Sequence, residues 1–319
     1  MIAKRVIVFL LIFSIVANPS RAWNSSGHMQ VAMIAWEQLT PEVRTKMVAI
    51  LKKHPRFAVD FEDQRPPSLS PADLDEWYFI KAATWPDVIR KVPQWHHGTW
   101  HYINEPFFPT SDDEHSLSDQ IHVNRDHNVP NSPNEIKTMN AVQALKYNLG
   151  RLKSASTSDS EKAVALCWVL HVAGDLHQPL HTTAMFSVAL SPEGDRGGNL
   201  IHVGDGGKNL HSVWDGMVGA ATHFKSLKKQ IVKLFGNSAL VNMAKNDANQ
   251  TDPVAWVKEG QDLCKESVYT DDVLGELALD ESGHYVVLAE LPDGYLEDAK
   301  DVARKRIIIA GFRLAELLQ

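Results

Sequence analysis

The densest set of chemically capable side chains is the run His171-Val-Ala-Gly-Asp175-Leu-His177-Gln-Pro179-Leu-His181. His171 and Asp175 stand four apart and so share one face of a helix. The stretch leading to them, Ala163 to Leu170, is apolar, and Pro179 predicts the helix end with His181 just beyond it. Three donors then converge at a helix terminus, and imidazole with carboxylate suits zinc. Each part has a plainer reading. A single histidine is more often structural, and a pair four apart can be a simple ion pair. In combination they are harder to dismiss, because an apolar helix does not gather polar groups on one side without partners. The glutamate of a His-Glu-x-x-His metalloprotease helix is missing, which excludes that class.

Three more pieces carry similar chemistry. Asn209-Leu-His211-Ser-Val-Trp-Asp215 repeats the His/Asp spacing after a glycine-rich stretch. Thr84-Trp85-Pro86-Asp87-Val-Ile-Arg90 is followed by Trp100-His101-Tyr102-Ile103-Asn104. The last piece lies near the start. Lys4 and Arg5, the mainly apolar run Val6 to Ala17, and Asn18-Pro19-Ser20-Arg21-Ala22 read as a signal peptide over residues 1–22. The apolar run is short for a membrane span, although an uncleaved anchor is the alternative. Cleavage after Ala22 would leave Trp23-Asn-Ser-Ser-Gly27-His28 as the new terminus. A terminal amine has a pKa of about 7.7–8.0, so a metal displaces its proton readily, and amine plus carbonyl can chelate it. The plainer reading is a disordered terminus.

The elements that must position these groups are mostly helical. Apolar residues fall at helical spacing in Met29 to Leu39, again after Pro41, and at about 71–91, 135–152, 159–176, 222–245, 253–268 and 294–318. Residues 55–70, 104–134 and 187–209 read as loops, the last two long enough to expect a function or disorder. The glycine-rich 187–209 stretch and the strand-like 283–289 each have room for a short β-hairpin. The expected class is therefore all-α, a single mostly helical domain over 23–319.

Charge limits the partners. The chain has 32 Lys+Arg and 39 Asp+Glu, and removing Lys4, Arg5 and Arg21 with the leader leaves 29 against 39, a net charge of −10. That argues against a broad basic face for duplex nucleic acid, so bound metal would have to attract any phosphate. Two distant cysteines, Cys167 and Cys264, could form a disulfide in an exported chain or stay as buried thiols.

In order and spacing, these pieces resemble the trinuclear zinc nucleases, the single-strand-specific nuclease and 3′-nucleotidase type, related to bacterial zinc-dependent phospholipase C. The carrying motifs are Trp23-x4-His28, Trp85-x-Asp87, His101-Tyr102, His171-x3-Asp175 through His181, and Asn209-Leu-His211-x3-Asp215. The resemblance implies three zinc ions. Asp87, His101, His171 and Asp175 would hold one. Trp23, through its amine and carbonyl, would hold a second with His28 and a shared Asp175. His181, His211 and Asp215 would hold the third. Zinc brings the pKa of bound water towards about 7, giving a nucleophile that Asp87 and Asp175 would position. Asn104 would contact the nucleoside, where relatives often carry Asp. His177 would support the ligands without being one. Arg90 reads as an exposed salt-bridge residue that could also neutralise phosphate. Tyr102, Phe107 and Phe108 are candidates for base stacking, or for packing.

The implied function is zinc-dependent hydrolysis of phosphodiester bonds in single-stranded DNA or RNA, leaving 5′-phosphate ends, with 3′-nucleotidase activity alongside. The expected protein is an exported monomer without a membrane span. Two rivals remain: a zinc-dependent phospholipase C and a non-catalytic zinc store. The short Trp23–His28 spacing and Asp215, where the lipases carry Glu, favour the nuclease. A store needs neither nine ligands nor a shared carboxylate. A helical phosphohydrolase built on a His-Asp dipeptide is excluded, since the chain has no such dipeptide.

Overall fold

A computed structural model describes residues 23–67 and 69–319, so the signal-peptide reading over 1–22 lies outside the described residues. The main helices are α1 (Ser25–Gln38), α2 (Pro41–Leu51), α3 (Pro71–Ala82), α4 (Ala141–Lys153), α5 (Asp159–Asp175), α6 (Leu210–Asp215), α7 (Phe224–Phe235), α8 (Ser238–Asp247), α9 (Pro253–Leu263) and α10 (Tyr295–Leu318). Their starts are written in the sequence. Asn24, Thr40 and Ser70 cap α1, α2 and α3, with Pro41 and Pro71 at the first helical positions. Asn140 with Gln143, and Ser158 with Glu161, form capping boxes on α4 and α5.

Helix α5 is the axis of the molecule. From Ala165 to Asp175 every residue is buried, and α1, α2, α3, α4 and α10 all pack on it. A helix apolar on all sides can only be a central one. Its last turn carries His171 and Asp175 into the interior. Helices α1 and α10 cross closely at Gly311, where an added Cβ would lie 2.4 Å from Ile34 Cγ2 and 3.0 Å from the Val31 carbonyl.

Several expected helices are interrupted. The 71–91 pattern breaks after α3, and a single turn Trp85–Val88 restarts it with Pro86 near its start. The 222–245 pattern divides at Gly236 and Asn237 into α7 and α8. The 135–152 pattern divides into a short turn, Pro133–Lys137, and α4. The 253–268 pattern continues past α9 as a wide turn, Cys264–Val268.

The β content exceeds isolated hairpins. Strands β1 (Glu105–Phe107) and β2 (Thr183–Met185) pair in parallel. Strands β3 (Ile201–Val203), β4 (Lys208–Asn209), β5 (Leu277–Leu279) and β6 (Val286–Leu288) form one sheet in the order β4-β3-β6-β5. The hairpin expected in 187–209 is β3–β4, whereas the 283–289 stretch holds only one strand, β6, whose hairpin partner β5 lies upstream of it; the parallel β3–β6 pair joins the two. Strands of two or three residues carry too weak an alternation to be read from sequence. The 104–134 stretch holds β1 and the short helix Ser111–Leu117. Cys167 and Cys264 are buried free thiols.

The α1–α10 crossing yields a test of packing. Gly311→Val should destabilise the protein by at least about 2 kcal/mol, because neither Ile34 nor the Val31 backbone can retreat cheaply. A fall in the urea midpoint at unchanged m would register it.

Candidate metal centre

The four sequence pieces meet in one buried place. His171 and Asp175 come from the end of α5, His28 from the first turn of α1, and Asp87 from the turn Trp85–Val88. His101 ends a short turn, Gly98–His101, and His181 ends another, Pro179–His181. His211 and Asp215 lie on α6. The β1–β2 region ties two of these segments together, with the Ile103 amide donating to the His181 carbonyl at 2.8 Å.

Asp175 sits at the middle, fully buried, with imidazoles on both of its oxygens. Its Oδ1 lies 3.3 Å from His28 Nε2, and its Oδ2 lies 3.3 Å from both His101 Nδ1 and His171 Nε2. Asp87 Oδ1 is 4.0 Å from His171 Nε2. The His28 and His171 rings stack at 3.8 Å. Trp23 is fully buried beside this group. Its indole N–H donates to the Gly174 carbonyl at 3.1 Å, and the next amide, Asn24 N–H, donates to the Asp215 carbonyl at 3.3 Å. Gly27 lets α1 close on Trp23, since a Cβ there would lie 2.6 Å from Trp23 Cβ.

The second half of the centre is more telling. His181 Nε2 and His211 Nε2 face each other at 3.0 Å. The other nitrogen of each ring is already committed: His181 Nδ1 donates to the His101 carbonyl at 2.6 Å, and His211 Nδ1 donates to the Gly197 carbonyl at 2.7 Å. Burial first, then the neighbouring His211, holds the His181 pKa well below the ordinary value, so the ring is neutral. With both Nδ1 atoms committed to carbonyls, the two Nε2 atoms are turned inward toward the same point, as two imidazole ligands of one ion would be. Asp215 Oδ2, 3.5 Å from His211 Nε2, completes the set.

The same fit appears around Asp175. His171 Nδ1 donates to the Ala83 carbonyl at 2.7 Å, which leaves its Nε2 as an acceptor facing the centre. Both His28 ring nitrogens, His101 Nε2 and Asp175 Oδ1 are buried without a hydrogen bond. Native proteins rarely leave so many buried polar atoms unpaired in one spot. Burial raises the Asp175 and Asp215 pKa values well above the carboxylate range and lowers those of His28 and His101, so the bare cavity disfavours every charged form. Divalent metal reverses that preference and gives all these lone pairs a partner. Three sets of donors lie close enough to share an ion: His28, Asp87 and His171; His101, His171 and Asp175; His181, His211 and Asp215.

A model of the S1/P1 nuclease family matches residues 23–319. The chain belongs to that family. It is 26% identical to Endonuclease 5 of Arabidopsis thaliana over 98% of this chain and 94% of that protein. It is 29% identical to Nuclease S1 of Aspergillus oryzae over 56% of this chain and 61% of that protein, and 25% identical to Nuclease P1 of Penicillium citrinum over 60% and 57%. As an S1/P1 nuclease it is a zinc-dependent hydrolase of phosphodiester bonds in single-stranded nucleic acid.

The S1/P1 centre also uses groups that sequence reading passed over. Gln178 donates to Asp215 Oδ1 at 2.8 Å and accepts from the Leu180 amide at 2.6 Å, so it aims a putting-in-place hydrogen bond at one carboxylate. Its place between His177 and His181 was the available signal. Backbone carbonyls of Ala83, His101 and Gly197 orient three imidazoles. Gly197 has φ +61°, and a Cβ there would lie 2.2 Å from the Leu180 carbonyl, so only glycine fits. Buried Asp195 holds this loop through the Met185 amide at 2.9 Å and the Tyr269 hydroxyl at 2.6 Å.

His177 points away from the centre. Its Nδ1 donates to the Ala173 carbonyl, and its Nε2 accepts from Arg313, which is paired with Glu259 at 2.7 Å. Arg90 differs from the sequence expectation: it is not an exposed salt-bridge residue but is 14% exposed and bound to Asp87 at 2.6 Å. Tyr102 lines a cleft of about 340 Å³ that reaches His101 and Arg90. A smaller cleft, about 210 Å³, holds Asn104 with Tyr102, His122 and Asn124. Phe107 stacks on Tyr269 at 5.2 Å and Phe108 packs near Phe186 at 6.3 Å, so both serve packing.

Gln178→Ala should weaken zinc binding about 10- to 100-fold, the usual effect of losing a partner that orients a ligand. Competition with a chelator of known affinity measures this. Unchanged affinity would mean that Asp215 needs no such support.

Proposed function

We propose that residues 1–22 are an export leader and that residues 23–319 form a monomeric nuclease with three zinc ions, giving 5′-phosphate ends and acting on 3′-nucleotides as well. Trp23 through its amine and carbonyl, with His28 and one Asp175 oxygen, would hold one ion. Asp87, His101, His171 and the other Asp175 oxygen would hold the next. His181, His211 and Asp215 would hold the third. The observation that carries this reading is the placement of Asp175, with imidazoles on both oxygens at 3.3 Å, beside a second group of donors, His181, His211 and Asp215, close enough to share an ion.

Bound zinc supplies a Lewis acid for the phosphate and a water acidic enough to attack phosphorus near neutral pH. The chain supplies positions. Asp87, fixed by Arg90 at 2.6 Å, orients the attacking water and accepts its hydrogen bond. The Arg90 guanidinium, facing the cleft beside His101, meets a phosphate oxygen. Asn104, with an acceptor and two donors, contacts the base in the smaller cleft. A paired duplex resists such close approach, because its bases are stacked inward and its phosphates lie on a stiff rod. Three carboxylates among nine ligands leave the cluster positive, which offsets the acidic chain.

Two experiments test the reading. Protein beginning at Trp23 should cleave denatured DNA faster than duplex, lose activity when zinc is removed, and regain it on readdition. Asp175→Asn should lose more than the about 100-fold typical of a lost outer partner. No cleavage of DNA or RNA by a zinc-loaded chain would end the nuclease reading. The role of Trp23 has its own test: a version that keeps Met ahead of Trp23 should bind one zinc fewer per chain. Three zincs and full turnover in that version would exclude the terminal amine as a ligand.

A further inference from the structure

Two clefts meet at His97. The first is the one of about 340 Å³ beside His101, which continues past Thr99 to Lys137. The second, about 320 Å³, lies between α4, the start of α5 and the 94–100 loop, with Trp95, Trp100, Tyr147, Arg151 and Trp168 among its walls. His97 lines both clefts, its ring stacked on Trp100 at 3.8 Å and 9°. Trp168 also meets the His101 ring edge-on at 5.2 Å. The aromatic cleft is therefore one side chain away from the metal centre, although none of the nine ligands lines it.

Its chemistry points to one kind of occupant. Trp95, His97, Tyr147 and Arg151 are only half-buried, so each offers part of its surface to an incoming group. The Arg151 guanidinium lies 5.5 Å from the Tyr147 ring centre, donates to the Tyr147 hydroxyl at 3.1 Å and pairs with Glu161 at 2.7 Å. Flat π faces with a guanidinium suit an unpaired nucleobase, whose faces stack and whose edges accept hydrogen bonds. A lipid chain would meet few aliphatic walls here. Lys137 is exposed in the connecting cleft, on a chain that is acidic as a whole. A cation at that point suits a phosphate between two bases.

We propose that a single strand held at the metal centre runs on over Thr99 and Lys137 and lays an unpaired base into the Trp95–Tyr147–Arg151 cleft. This second base subsite rests on the nuclease reading and adds substrate length to it. Strands long enough to reach the cleft are bound more tightly than a dinucleotide, whichever bases flank the scissile bond. Stacking also explains a preference for strands over duplex at a distance from the metals, since a paired base cannot enter.

The test compares a dinucleotide with a single-stranded octanucleotide, using zinc-loaded protein. Wild type should show a lower KM for the octanucleotide. Tyr147→Ala should raise that KM about 5- to 20-fold, as expected for one lost stacking contact, with kcat and the dinucleotide KM unmoved. Tyr147→Phe keeps the ring and should restore wild-type KM. Lys137→Ala, on the surface, should lower the slope of log KM against log salt for the octanucleotide by about 0.7, the loss of one phosphate contact on a single strand. Equal changes on both substrates, or an unchanged octanucleotide KM in Tyr147→Ala and Lys137→Ala, would overturn the subsite. Neither result would touch the nuclease reading, which fails only if wild type cleaves neither substrate.

Discussion

The convergence of buried imidazoles and carboxylates on one point, with His181 Nε2 and His211 Nε2 3.0 Å apart, is the constraint on which the rest of this structure depends. Each of these two rings is held in place by its Nδ1, which is bound to a backbone carbonyl. Burial, with His211 beside it, disfavours the charged form of His181. The unpaired atoms around Asp175 lie a short distance away. Metal held by such groups in the core would couple its affinity to folding. The polar groups that would be errors in an ordinary core are the function here.

The irregular segments make sense in this light. Most carbonyls in regular helices are bonded within the helix, and only those of the last turn, such as the Ala173 carbonyl that takes His177, are left over. The three carbonyls that orient the donor imidazoles His171, His181 and His211 belong to Ala83, just after α3, to His101 in a short turn, and to Gly197 in the glycine-rich loop. The long loops noticed in the sequence thus have work at the centre. Asp195 and Tyr269 fix one of them, and β1–β2 pairing aligns another. On the far side of α5, the His177–Arg313–Glu259 network anchors the helix end to α10 and α9.

Selectivity follows from where positive charge is kept. The chain as a whole is acidic, which argues against duplex held by charge alone. The cations that line the cleft beside the metal centre are Arg90, paired with Asp87, and Lys137 further out. On the proposed path, aromatic side chains would stack on unpaired bases, which a duplex keeps inside.

The sequence by itself determined the helical class, the caps of α1 to α5 and the two His/Asp pairs spaced four apart, His171 with Asp175 and His211 with Asp215, while the wider donor set came from the family resemblance. These are local matters: spacing of four, a proline after an apolar run, and Asn or Ser ahead of a helix act over a few residues. The family resemblance, and not the residues around it, marked His177 as a supporting group, and in the structure it points away from the centre to Arg313. Only the tertiary structure decided how the donors face one another. Asp87 and Asp175 are 88 positions apart in the chain, and although the spacing of four places Asp175 beside His171, nothing local tells that Asp87 approaches the same ring. The same holds for Arg90, drawn inward to Asp87, for Gln178, whose amide reaches α6, and for the union of two short hairpins into one sheet. That Cys167 and Cys264 are buried as free thiols was likewise left open by the sequence and decided by the fold. Such contacts arise from packing between distant segments, and packing leaves no periodic mark on the sequence.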